Sequence, residues 1–214
     1  MRIRGQVMSR PLLASALVLV LSLVASCDRA PTEKPPSKAA AMPDAPRETT
    51  PKVGEHKAVT TDKLEPYVCG TITRLHTLGG VFLASQPKPE DFAQAKKSGV
   101  KTVINLRHAV EIKDFDEQKV VEAEGLTYVN VPWDGPEELT DAVFDKAREQ
   151  LKTAQRPILL HCGSANRVGA VWLPFRVLDG GLTWDEALAE AKTVGLKSPD
   201  YEAKAKDYVQ RHGK

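Results

Sequence analysis

Three short β-rich or apolar runs begin near Val100, Thr127 and Pro157, each separated from the next by a stretch of helical periodicity. This spacing limits the fold more than any other feature of the chain. Parallel neighbours in a sheet need a crossover of a dozen or more residues, and a helix supplies it. The pattern predicts an α/β domain of three layers, a mainly parallel central sheet flanked by helices. Around these runs the punctuation is regular. Ile72–Leu75 and Val81–Ala84 flank a Leu-Gly-Gly turn and read as a hairpin or as paired strands. Residues 88–98 read as a helix with Phe92 and Ala95 inward and Gly99 as its stop, and 114–124 as a charged helix. Thr140 opens a helix to about 153 with Val143, Phe144, Ala147 and Leu151 on one face. A helix over 167–178 stops at Gly180-Gly181, and its Trp172 reads as core. Thr183 and Glu186 form a capping box, and Ser198-Pro199 opens a last helix striped by Tyr201, Ala205, Tyr208 and Val209. The Lys204, Lys206, Arg211 and Lys214 face of that helix reads as solvated surface.

The domain occupies residues 57–214, and what precedes it is of another kind. Residues 1–26 read as an export signal, with Arg2, Arg4 and Arg10 before an apolar run of 14 residues from Pro11 to Val24. That run is short for a bilayer span, which needs about 20. It ends in Val24-Ala-Ser-Cys27, which resembles the lipobox of bacterial lipoproteins, against its reading as a plain secretory signal with a chance cysteine. The resemblance implies cleavage before Cys27 and a lipid on its thiol. Asp28, by the same resemblance, favours the inner membrane of the cell envelope, on the periplasmic side. Residues 27–56 read as a disordered tether: from residue 28 they hold six prolines, no aromatic residue and one valine, with five acidic and five basic residues. About 29 residues of coil reach roughly 30 Å. Lys and Arg number 30 against 28 Asp and Glu, a formal charge of +2, and three of the arginines belong to the leader. This balance gives no reason to expect nucleic acid as a partner.

The chemistry concentrates in Pro157–Gly169, where an apolar strand runs into a polar loop that opens a helix. Backbone N–H groups at such a helix start converge on one spot and bind an anion there, so Gly163, Ser164, Ala165, Asn166 and Arg167 are the candidate phosphate-binding residues. The same field favours the thiolate of Cys162. The fork of Arg167 can grip two oxygens of a tetrahedral oxyanion. Cys162 would attack phosphorus and form a cysteinyl-phosphate that water hydrolyses. Ligands bind at the C-terminal edge of a parallel sheet, and Arg107, Asp134 and Cys162 each lie just past a predicted strand, so the three can converge.

These residues resemble the cysteine-dependent phosphatases of the tyrosine and dual-specificity superfamily. They are most similar to the bacterial phosphatase-like domains called beta-lactamase hydrolase-like. The likeness runs over roughly 80–178 through Leu83-Ala-Ser-Gln-Pro87, Thr102-Val-Ile-Asn-Leu-Arg107, Val131-Pro-Trp-Asp134 and the His161–Gly169 loop followed by Ala-Val-Trp. It implies a protein tyrosine phosphatase-like fold and hydrolysis of phosphate monoesters on a phosphoprotein or small ester, with Cys162 and Arg167 catalytic; no Walker-type or dinucleotide glycine loop appears, so no nucleotide cofactor is expected. Asp134 is then the candidate general acid, against its reading as a turn residue in Trp-Asp-Gly-Pro. Arg107 either adds charge at the mouth or forms an ion pair with Glu111 or Asp134. His161 reads as a buried, loop-orienting residue. Ser164 and Asn166 are candidates to tune the loop or hydrolysis, against the reading of Gly163 and Ser164 as residues that just let the backbone turn.

One departure bears on activity. The phosphatase signature has five residues between cysteine and arginine, and here there are four, with Val168 in place of a hydroxyl residue after Arg167. Four is the spacing of rhodanese-type sulfurtransferases. A persulfide carrier and a non-catalytic oxyanion or phospho-ligand binder therefore stand beside the phosphatase reading. The five histidines (56, 76, 108, 161, 212) show no paired ligand spacing and there is no CxxC, so no metal site is expected. Cys69 is either an inert core residue or the partner of Cys162 in a reversible disulfide.

Overall fold

The computed structural model of the chain describes residues 61–213. The leader, Cys27, Asp28 and the tether lie outside the described residues. Among those described, no helix is long and apolar enough to cross a membrane.

Six strands form one sheet: β1 (Glu65–Pro66), β2 (Leu75–Leu78), β3 (Val81–Ala84), β4 (Thr102–Asn105), β5 (Thr127–Asn130) and β6 (Ile158–His161), in the order β1-β2-β3-β6-β4-β5. Strands β3, β6, β4 and β5 run parallel, and β1 and β2 add an antiparallel edge. The β2–β3 hairpin turns on Gly79 and Gly80, both at positive φ (57° and 76°), as a two-residue turn of the favoured hand requires. The parallel strands end on one line, with Ala84 opposite His161, His161 opposite Asn105 and Asn105 opposite Asn130. Every loop that leaves this edge therefore starts from the same level.

The strands alternate as their period of two dictates. Val81, Leu83, Ile104, Ile158 and Leu160 face one core. Phe82, Ala84, Val103 and Leu159 face the other. Helices α1 (Pro89–Lys97) and α2 (Glu117–Ala123) close the second core with Phe92, Ala95 and Val121. After the short α3 (Gly135–Glu138), helices α4 (Asp141–Thr153), α5 (Asn166–Leu178), α6 (Trp184–Val194) and α7 (Pro199–His212) close the first. This is the three-layer fold with a mainly parallel sheet that the strand spacing implies. Helix α5 is buried without a break from Val168 to Pro174. It passes so close to the end of α6 that a Cβ on Gly169 would lie 2.8 Å from the Ala191 carbonyl oxygen and from Leu196.

The differences from the sequence reading are local. The first hairpin strand begins at Leu75 and not at Ile72. Strand β1 has two residues, too few to show alternation. Helix α3 opens with Gly135-Pro136, and such a pair reads as a turn.

Candidate active site

The site starts where β6 ends. His161 is fully buried, its Nε2 3.1 Å from Glu117 Oε1 and its ring edge-on to Phe92 at 6.3 Å. Cys162 follows at 1% exposure, with its amide donating to the Ala84 carbonyl at 3.4 Å. Gly163 and Ser164 are exposed, but neither is at positive φ. The residue that turns the backbone is Ala165, buried, at φ 68° and ψ 4°. A left-handed alanine costs on the order of 1–2 kcal/mol, so the surrounding fold must impose it. Gly195, between α6 and α7, leaves room for it, because a Cβ there would meet the Ala165 methyl at 3.1 Å.

The amides of Gly163 to Arg167 have no backbone acceptor among the described residues. They are the free donors at the start of α5 and are available to an anion. The Asn166 side chain is turned away from them, and its Oδ1 accepts from the amides of Lys197 (2.7 Å) and Ser198 (3.2 Å). It ties the start of α7 to the loop.

Arg167 is mostly buried and strongly held. Its Nη1 donates to Glu111 Oε1 (2.8 Å) and to the carbonyls of Trp133 (2.5 Å) and Leu106 (3.2 Å), and its Nη2 donates to Glu111 Oε2. A guanidinium has five N–H groups. This clamp uses those of Nη1 and one of Nη2, leaving the Nε–H and the second Nη2 hydrogen for an oxyanion. Burial works against the Arg167 charge, yet the hydrogen bonds and charge of Glu111, with Cys162 and Asp134 adding, raise its pKa above the usual arginine value. The reciprocal effect brings Glu111 down to about 2: its bonds to Arg167 lead, burial opposes, and the His108 amide and Arg107 add.

Asp134 lies just beyond β5 and opens α3. Its side chain is 64% exposed and Oδ1 stands 3.8 Å from Arg167 Nη2. Its amide donates to Glu138 Oε2 at 2.8 Å, and that oxygen also meets His108 Nε2 at 2.6 Å. Asp134 is thus at a turn and faces the arginine, so the two roles open to it in the sequence are compatible. Arg107 pairs with Glu111 (Nε–Oε2 3.3 Å) and donates to Gln86 Oε1 at 2.6 Å, and among the described residues it forms no pair with Asp134.

Sequence reasoning missed three residues. Gln86 stood only inside a quoted motif, and Glu117 is a carboxylate at 4% exposure in a helix read merely as charged. Tyr201, correctly read as buried, packs edge-on against Trp133 at 4.9 Å. Burial, with Asp134 and Cys162 adding, pushes its hydroxyl pKa up against the Gly135 amide and Arg167. Nothing in a helical stripe separates a core tyrosine from one that borders a site. Cys69 and Cys162 are both free and belong to cores on opposite faces of the sheet. Burial raises the Cys69 thiol pKa, so Cys69 has the character of a core residue.

A cysteine and an arginine at the two ends of a strand–loop–helix junction, on the C-terminal edge of this sheet, define a cysteine-phosphatase-like α/β domain. Comparison with known proteins agrees. Residues 75–176 match the family described as "Beta-lactamase hydrolase-like protein, phosphatase-like domain". A beta-lactamase hydrolase-like protein of Xylella fastidiosa is 28% identical over 118 residues, 53% of this chain and 27% of that protein. The chain therefore spans about a quarter of the length of the curated relatives it matches. Among solved structures, the DUF442 protein of Shewanella putrefaciens CN-32 superposes with a TM-score of 0.54 at 22% identity, covering 67% of this chain and 96% of that one. A variant of Pseudomonas aeruginosa TpbA in complex with pTyr superposes with a TM-score of 0.52 at 23% identity, covering 65% and 85%. These likenesses show the fold.

Proposed function

We propose that the chain is a cysteine-dependent phosphatase that hydrolyses phosphate monoesters through a cysteinyl-phosphate. The observation that carries this reading is the convergence of Cys162, the unengaged amides of Gly163 to Arg167 and the free edge of the Arg167 fork on one short loop. A phosphate there has three non-bridging oxygens to place, and these donors suit them. In the first step the Cys162 sulfur bonds to phosphorus as the ester P–O bond breaks, and Asp134 gives its proton to the leaving oxygen. In the second, Asp134 takes a proton from water, the water oxygen bonds to phosphorus, and the S–P bond breaks to release phosphate and restore the thiolate. The TpbA variant complexed with pTyr lends support to a phosphorylated substrate. The tyrosine or dual-specificity type of activity belongs to the same proposal. So does the setting: a lipid on Cys27 and a tether of about 30 Å would keep the domain at a membrane, outside the cytoplasm.

The test is turnover of p-nitrophenyl phosphate by the purified protein and its Cys162→Ser variant, with thiosulfate plus cyanide as the second substrate. Phosphate release that needs Cys162 is expected. The four-residue loop spacing favours the sulfurtransferase alternative, and thiocyanate formation without phosphate release would establish it. Oxyanion binding that needs Arg167, with neither turnover, would make the domain a binder.

A further inference from the structure

The two ends of the loop are joined behind it by a hydrogen-bonded chain that passes through Gln86. From the cysteine end, His161 Nε2 meets Glu117 Oε1 at 3.1 Å, and Glu117 Oε2 accepts from Gln86 Nε2 at 2.6 Å. From the arginine end, Glu111 binds Arg167 with both oxygens and Arg107 Nε with one, and Arg107 Nη1 donates to Gln86 Oε1 at 2.6 Å. The Gln86 backbone N–H also donates to the carbonyl of Gly163, inside the loop, at 3.2 Å. A side-chain amide suits this circuit, since it accepts from an arginine with its oxygen and donates to a carboxylate with its nitrogen. His161 and Glu117 are almost wholly buried, so water cannot take over bonds that are lost there. With Gln86 donating to Glu117, the acceptor left to His161 fixes the ring as an Nε2–H donor.

We propose that Gln86, with Glu117 as its partner, is a positioning residue that couples the His161–Cys162 end of the loop to the Arg167 end, so that the nucleophile and the oxyanion grip are set together. This builds on the reading of Cys162 as a nucleophile, and it adds two residues with a specific bond between them. A residue that merely filled space would tolerate any side chain of equal size. The coupling requires one amide and one carboxylate, and it predicts that the two can be exchanged.

The experiment compares the wild type, Gln86→Glu, Glu117→Gln and the double variant, each shown to be folded by circular dichroism and melting. Three readouts are taken: the Kd for orthovanadate, the rate of Cys162 alkylation by iodoacetamide at pH 7, and kcat and KM for p-nitrophenyl phosphate. Gln86→Glu sets two carboxylates against each other. It is expected to weaken vanadate binding and slow alkylation by about tenfold each. The double variant is expected to recover both to within about threefold. There the new carboxylate at position 86 accepts from Arg107 and from the new amide at position 117, whose oxygen still takes the His161 N–H; the bond from Gln86 Nε2 to the Pro87 carbonyl (3.0 Å) is not replaced, which sets the residual of about threefold. If Gln86→Glu fails to fold, Gln86→Met, of similar shape and without either bond, carries the same expectation. Wild-type-like values in the single variant, or a double variant no better than it, would overturn the coupling. Alkylation that follows the predicted pattern in a protein with no esterase turnover would sustain the coupling and sink the phosphatase reading instead.

Discussion

Removing the Glu111 carboxylate is the change that most exposes how Arg167 is held. Glu111 has an ordinary pKa of 4.5 and stands at about 2 in the folded chain, with its side chain 22% exposed. At 1.36 kcal/mol per pKa unit, this difference corresponds to roughly 3 kcal/mol of stability at pH 7. The sign follows from the direction of the shift. A carboxylate lowered on folding contributes in full above its unfolded pKa and loses that contribution as the pH falls through the folded one. The window therefore runs from about 4.5 down to about 2. Integrated over it, roughly 3 kcal/mol at pH 7 becomes about 1.4 kcal/mol at pH 3. Glu111→Gln keeps the shape and removes the charge, so it should be less stable than the wild type by these amounts. Urea denaturation of both proteins at pH 7 and pH 3 measures the gap, with m-values checked for equality. A gap below about 1 kcal/mol at pH 7, the size of an exposed pair, would refute the clamp. So would a gap that is the same at both pH values.

Other perturbations report on separate parts of the account. Gly169→Ala puts a methyl 2.8 Å from the Ala191 carbonyl oxygen and Leu196, and should cost about 1–3 kcal/mol, visible as a fall of several degrees in Tm. A variant that melts with the wild type would show that α5 and α6 can part freely. Asp134→Asn should slow hydrolysis of phenyl phosphate by about 100-fold and that of p-nitrophenyl phosphate much less, because the second leaving group needs no proton. Equal losses on the two esters would remove Asp134 from the role of acid. Tyr208 is buried, donates to Asp145 at 2.5 Å and accepts from Arg148 at 2.7 Å, while burial and Asp145 push its pKa up to about 12. Tyr208→Phe should cost about 1–2 kcal/mol in denaturant melts, and no cost would mean that the α4–α7 contact is carried by its rings alone.

What could be read from the sequence follows the range of the forces involved. Strands β4, β5 and β6 announced themselves because β-rich runs at a fixed spacing from helices have few other solutions. The Cys162–Arg167 loop was legible because its residues are close in sequence and its chemistry is local to one helix start. The partners of that loop were not. Glu111 lies 56 positions before Arg167, and Gln86 lies 31 before Glu117. No periodicity marks a charged residue that will be buried by such a pairing. Glu117 in particular sits among Asp114, Asp116, Glu122 and Glu124 and has the surroundings of a solvated face. The turn in the loop went to Ala165 although Gly163 stands two residues away. Local preference would have chosen the glycine, and the room that Gly195 leaves beside Ala165 comes from a position thirty residues on that no local preference shows.

The central claim is that Cys162 becomes covalently phosphorylated. Rapid acid quench of the protein turning over p-nitrophenyl phosphate, followed by peptide mass spectrometry at low pH, reads this directly. The account predicts one phosphoryl group on the peptide that carries Cys162, appearing within the first turnover and absent from Cys162→Ser. Steady turnover with that peptide unmodified, or with the phosphoryl group on another residue, would contradict it.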